Sequence, residues 1–456
     1  MNRRTLSVIG RLTLVLALVL VAGVGFGASS VQAQAFPAYT SGIQVANLST
    51  TLPATISLNA YNADGSSGGT PLADTIPANS SKTYFPISNV AAGFSGSVVI
   101  GSSQSVAGIV NLLAVVSNTF PAAAAYVGRS AGGTTVLLPL LNQDNSGFNT
   151  WYSIQNAGSS DATVNVAYSD GTAAGPFTIK AGAAKVVYQK LGSETHTAKV
   201  FAATITGNQP LVASVVQESN KIMFAYTGFA AGSTNPVFPL VNANNANYIT
   251  GIQIQNAGTQ ATDVTLSYTP ASAGTACTET RTVQPGASAT FALSAFNPSV
   301  PADASSNCAK AKFIGSARVT GNTTAQNLVG IGNQLLPGVN GEAYGSFSDS
   351  DAGKSVVMPL IMDRNGGYFT GFNVQNVGTN PTTVTCTFQN NARTVGPTAL
   401  AAGQALNDVQ LNTLAAGYIG SAVCTGDAAD TKLVGVVNEL KTGTVDNLLV
   451  YEGVKP

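Results

Sequence analysis

Residues 251–258 read GIQIQNAG, and the phrase returns as YSIQNAG at 152–158 and FNVQNVG at 372–378. Ile252 and Ile254 alternate with Gln253 and Gln255, the period of a strand with one buried face. Asn256-Ala257-Gly258 ends that strand, since Asn bonds readily to nearby backbone and Gly accepts a positive φ. Val264, Leu266 and Tyr268 resume the alternation on a return strand. One strand-turn-strand unit is therefore written again and again along the chain.

Working outward, Asn47, Asn156, Asn256 and Asn376 hold the same position in four copies. PLLNQDNSGFNTWYSIQ, PLVNANNANYITGIQIQ and PLIMDRNGGYFTGFNVQ precede it in copies two to four, and the shorter FPAYTSGIQVAN in the first. ATISLNAY, ATVNVAY, DVTLSY and TVTCTF follow it, then FSGSVVIG, VFAATITG, FIGSARVTG and YIGSAVCTG. SVAGIVN, PLVASVVQ, NLVGIGNQ and KLVGVVNE come next, and each copy closes near Tyr126, Tyr226, Tyr344 or Tyr451. Short strands broken by Gly, Asn and Pro turns, with no amphipathic helix, predict an all-β chain of tandem antiparallel sandwiches. The expected repeats are 34–133, 134–233, 234–353 and 354–456, each an immunoglobulin-like sandwich of about seven strands. Short links such as TGFAAGSTNPVFPL predict beads in a row. Such a rod or bent string would span on the order of 150 Å at about 3.3 Å per residue.

Residues 1–33 read as a secretory signal peptide: Arg3, Arg4 and Arg11 precede an uncharged apolar run, and Val31-Gln32-Ala33 suits a peptidase. The run is short for a retained membrane span, and no other long apolar segment follows in the mature chain. Charged residues make up 9 % of the 456 and their net charge is zero, which argues against nucleic acid. The chain is 45 % apolar, which argues for a folded protein.

All four cysteines lie late in the chain, and in an exported protein they predict disulfides. Cys386 stands where other copies have Leu58, Val166 and Leu266, and Cys424 where they have Ile100, Ile205 and Val319. Two core positions suggest a Cys386–Cys424 bridge across the sandwich, as between immunoglobulin sheets. That leaves Cys277 and Cys308 as a clamp on the third copy's inserts.

Candidate chemistry is sparse. The single histidine, His196, reads as a solvated loop residue, with no G-x-S-x-G elbow to serve. NQDNSG, NANNAN and MDRNGG recur at one place, but Asp144 and Asp363 are their only carboxylates. They are expected to be turns rather than calcium loops. No acidic pair repeats and no phosphate loop is present, so no catalytic residue, metal or cofactor is assigned. Trp151, the only tryptophan, replaces Gly42, Gly251 and Gly371. It points outward if Tyr152 and Ile154 point inward, and would either cover a junction or contact a ligand or partner.

The run from Ile154 to Gly182, with IQNAGSSDATVNVAYSDG and IKAG, resembles the immunoglobulin-like modules of bacterial surface proteins called cell-adhesion-related domains. The resemblance covers the front half of each copy. It implies an exported, non-enzymatic surface role and carries no site residue. Two classes of function follow. The first is a structural or adhesive protein of the bacterial surface or matrix, meeting other surface proteins or itself through edge strands. The alternative is a string of carbohydrate-binding modules that use Trp151 on a glycan.

Overall fold

The computed structural model describes residues 14–21, 36, 38–116, 119–190, 194–301, 305–441 and 446–456. Most of the expected signal peptide, including its cleavage site, lies outside the described residues. Antiparallel strands dominate the rest, with only the short helix Leu293–Phe296 and the turn Gln389–Asn391 among them.

The third repeat shows the plan. One sheet runs in the order first, sixth, third, fourth strand: Val237–Ala243, Phe313–Thr320, Thr262–Ala273, Cys277–Val283. The other runs fifth, second, seventh, eighth: Ser288–Phe291, Ile249–Asn256, Leu328–Leu336, Asn340–Gly345. The fourth repeat pairs its strands identically, and in the second the sixth and seventh strands fuse into Val200–Glu218, which serves both sheets. The third and fourth modules thus have eight strands each, against about seven expected, and the second has seven because two are fused. The second strand pairs with the fifth and the third with the sixth, as in the immunoglobulin order, but the first and fourth strands lie in the sheet of the third and sixth, and the seventh in that of the second and fifth.

Alternation drives the packing. Ala162–Tyr168 is buried at every odd position of its seven residues. The recurring Asn then fastens the two sheets. Asn256 Nδ2 donates to the carbonyls of Gln260 (2.8 Å) and Val283 (3.0 Å), while its Oδ1 accepts from Gly258 N at 2.9 Å. Asn47, Asn156 and Asn376 make the same three kinds of bond, and all four are buried. The closing tyrosines are also buried; Tyr226 and Tyr451 donate to the carbonyls of Leu140 (2.7 Å) and Leu360 (2.5 Å), and Tyr344 does so to Leu240. QNAG is written repeatedly because each sandwich needs this pin.

Both cysteine pairs stand at bonding distance, Cys277 with Cys308 and Cys386 with Cys424. The second pair corrects the expected geometry. Cys386 lies directly opposite Cys424 on neighbouring strands of one sheet, with Cα atoms 3.9 Å apart, so the bridge does not cross the core. Leu58 with Ile100, Val166 with Ile205 and Leu266 with Val319 are likewise side-by-side pairs.

The expected string of beads is overturned too. The first module's core takes in Trp151, Val216, Met223 and Ala225 of the second. The second's takes in Val329, Ile331 and Ala343 of the third; the third's takes in Val434, Val436, Leu448 and Val450 of the fourth. The fourth's takes in Ile109, Ala123, Ala125 and Val127 of the first, which closes the circle. Polar contacts mark all four joints: Ser97 Oγ to Gly182 O, Gln255 Nε2 to Ala203 O, Arg318 Nη2 to Val377 O, and Gln44 Nε2 to Pro359 O. The modules form a ring, because the outer face of each seventh-and-eighth-strand sheet carries apolar residues that the preceding module covers.

Replacing Asn256 with Ala strands the buried Val283 carbonyl and leaves the part-buried Gln260 carbonyl and Gly258 amide without this partner. The expected loss is about 3 kcal/mol, read as a lower urea midpoint; a loss under about 0.5 kcal/mol would contradict the pin. Replacing Cys386 and Cys424 together, which opens a separation of 38 residues, should lower stability by about 4 kcal/mol on the loop-entropy account. The urea midpoint of the reduced parent, which loses the Cys277–Cys308 bridge as well, should fall below that of the double variant.

Candidate functional site

The four eighth strands, Ala123–Val127, Met223–Thr227, Asn340–Gly345 and Leu448–Glu452, meet along the ring's axis. Each is the edge of its sheet, paired on one side only. Every second backbone N–H therefore points at the axis with no strand to receive it, and a buried orphan donor is costly. Small residues at these positions, Ala123, Ala125, Ala225, Gly341 and Ala343, let the strands approach. At Gly341 an added Cβ would come within 2.5 Å of the Phe224 ring.

Carboxylates take the place of the missing strands. At one level Asp446 Oδ2 accepts from Met223 N (2.8 Å) and Oδ1 from Gly341 N (3.1 Å), with Ala123 and Leu448 also donating to it. At the next, Glu342 Oε1 accepts from Ala225 N (2.6 Å) and Ala343 N (2.8 Å), and Oε2 from Ala125 N (2.9 Å). At the third, Glu452 accepts from Gly345 N. All three acids come from the third and fourth modules and serve edges of all four. A fourth, Glu439, accepts from Asn111 Nδ2 of the first module at 2.8 Å, while its Oε1 has no partner among the described residues.

Burial pushes all four carboxyls above the usual carboxylate range. The donated N–H groups pull Glu342 and Asp446 back down, and Arg129 does the same for Glu452. Glu439 is pushed up to about 8. Beyond Glu452 the axis opens into a cavity of about 760 Å³ lined by the inter-module links, with Arg129, Asp351 and Lys455 among its charged residues. Its walls otherwise mix hydroxyls, amides and backbone with apolar side chains such as Phe229, Leu328 and Phe347. Such a cup can hold water or a small polar molecule, and it contains no His or Cys to act as base or nucleophile.

The residues singled out from the sequence lie elsewhere. Trp151 is 2 % exposed. Its ring meets Tyr39 edge-on at 5.9 Å in the joint between modules one and two, where Tyr39 also donates to Glu218 at 2.5 Å. Of its two readings, the junction is the one observed. His196 is a correction: its side chain is 1 % exposed rather than solvated. The ring stacks on Phe201 at 3.9 Å, and Nδ1 lies 3.1 Å from Asp170 and 3.0 Å from Thr172 Oγ1. That cluster ties the loop to the sandwich. Asp363 accepts from the amides of Asn412, Thr413 and Leu414 and from Arg364, so its carboxylate is spent on a loop. Asp144 lies in a turn closed by reciprocal bonds between Asn145 and Phe148. Among the described residues no three His, Cys, Asp or Glu side chains gather as a metal site would need.

Sequence reasoning missed the axial acids. The available signal was an acid inside an otherwise apolar core-forming block: Glu342 in NGEAYG, Glu439 in VVNEL, Glu452 in LLVYEG. Compared with known proteins, the chain matches no family model and no curated protein.

Glu439 sets a pH dependence. With a folded pKa of about 8 against about 4.5 unfolded, the folded state holds more protons between those values, so stability falls as pH rises through that window. Glu342, Asp446 and Glu452 act in the same direction. Asp170 and Asp363, held below the usual range, act only in stronger acid. The urea midpoint should drop from pH 5 to pH 8, and drop less in Glu439→Gln, which keeps an acceptor for Asn111. A midpoint that rises across this window would contradict the assignment.

Proposed function

We propose that this chain is a non-enzymatic structural or adhesive protein, exported and held at a bacterial surface or in its matrix. One observation carries the reading: three of the four axial acids, Asp446, Glu342 and Glu452, are spent on backbone amides at the joints between modules rather than on a substrate cleft. A scaffold needs that use of charge and an enzyme does not. Two cysteine pairs at bonding distance suit an oxidising compartment. No helix among the described residues is long and apolar enough to cross a membrane.

The free edges fit the same role. Pro176 and Pro397 sit within the fourth strands Ala173–Ile179 and Thr394–Leu400, where they remove a donor. In the third module, Ser306 bridges to Glu279 and covers the corresponding edge. Leu72–Ile76 in the first module carries neither device, so contacts with other surface proteins, or with a second copy, are assigned to module one. The glycan reading loses the residue it rested on, since Trp151 is enclosed between modules.

Fractionation of producing cells tests the proposal. The protein should be found with the cell surface or matrix and be cut by protease added to intact cells. Recovery of the whole pool as free monomer from the medium, or from inside protease-resistant cells, would contradict it.

A further inference from the structure

In modules two and four the first strand is almost wholly buried: Gly133–Asn142 and Ser355–Asp363 each lie along their sixth strand and against their closing tyrosine. The first module has no such strand after residue 33. Its second strand begins at Ala38, with only residues 34–37 in between. The slot is filled instead by Leu14–Val21, which runs antiparallel along Ser95–Ser102 in an unbroken register from Leu14 with Ser102 to Val21 with Ser95. Leu16 pairs with Ile100 and Leu18 with Val98, and those two partners are fully buried core positions. The strand completing module one is thus the apolar core of the segment read as a signal peptide.

We propose that export empties this slot, and that the mature chain refills it with a strand donated by another protein. The inference rests on the reading that residues 1–33 are removed. The occupant is a partner chain presenting about eight consecutive Leu/Val-type residues in extended form, antiparallel to Ser95–Ser102. The segment LVLALVLV that occupies the slot here defines that chemistry. Every other module closes this edge from its own chain. An open one would expose unpaired backbone beside Val98 and Ile100, which strand addition satisfies with both backbone hydrogen bonds and side-chain pockets. Module one is therefore the docking end of the ring, and its first-strand slot is the place where this protein joins its partner.

The test begins with N-terminal sequencing of the exported full-length product. A start after residue 33 upholds the leader reading, whereas retention of 14–21 overturns that reading and the proposal with it. The mature chain is then mixed with a synthetic KKLVLALVLVKK peptide and followed by amide hydrogen exchange. The expected result is saturable one-to-one binding, with exchange at residues 95–102 slowed at least about tenfold. The same peptide carrying Leu16→Lys and Leu18→Lys should have no effect. If the mature chain is insoluble alone, it is refolded with each peptide, and soluble monomer should appear only with the apolar one. Unchanged exchange at 95–102, or equal action by both peptides, overturns the donated strand while leaving the leader reading intact.

Discussion

Four sheet edges that no strand can complete are brought face to face, and their inward amides must be received by something. Asp446, Glu342 and Glu452 receive them at successive levels of the axis. The constraint is severe because a buried backbone N–H left without any hydrogen-bond partner costs free energy. It also dictates the neighbouring choices: Ala and Gly on the inward positions, and acids drawn from only two modules. One carboxylate offers several acceptor sites and can serve more than one module at once. Four symmetric acids at a level would repel one another strongly; with one acid per level the repulsion is left between levels, as between Asp446 and Glu342.

The ring follows from that centre. Each module lends the outer face of its seventh-and-eighth-strand sheet to the core of the module before it, and the fourth is covered against the first without a covalent link. Buried charge of this kind is a poor source of net stability, since taking carboxylates out of water opposes the gain from their hydrogen bonds. What it supplies is position. A register slip of one residue in any closing strand would turn its inward amides away and leave an acid unsatisfied, so the acids select one arrangement of four similar modules.

Much of the module was legible from residues alone. The period-two alternation fixed the strands, the repeated Asn marked the pin, and the two cysteine pairs could be matched by aligning copies. Their placement within one sheet was not legible, because equivalent core positions on adjacent strands and on facing sheets carry the same apolar signature. The ring was not legible either. A link such as TGFAAGSTNPVFPL permits both a string and a circle, and the choice rests on faces that look like ordinary strand sides in sequence. Trp151 and His196 show the same limit. Both read as outward or solvated, but Trp151 is enclosed by a neighbouring module and His196 by Asp170, Thr172 and Phe201 of its own. The axial acids could have been suspected from their apolar surroundings, but not their partners.

Solution scattering from the purified mature chain reads the central claim directly. A closed ring of some 420 residues should give a radius of gyration of about 22 Å, the value for one compact body of that size. A value above about 40 Å, expected of a rod on the order of 150 Å long, would mean that the modules do not close on the carboxylate axis.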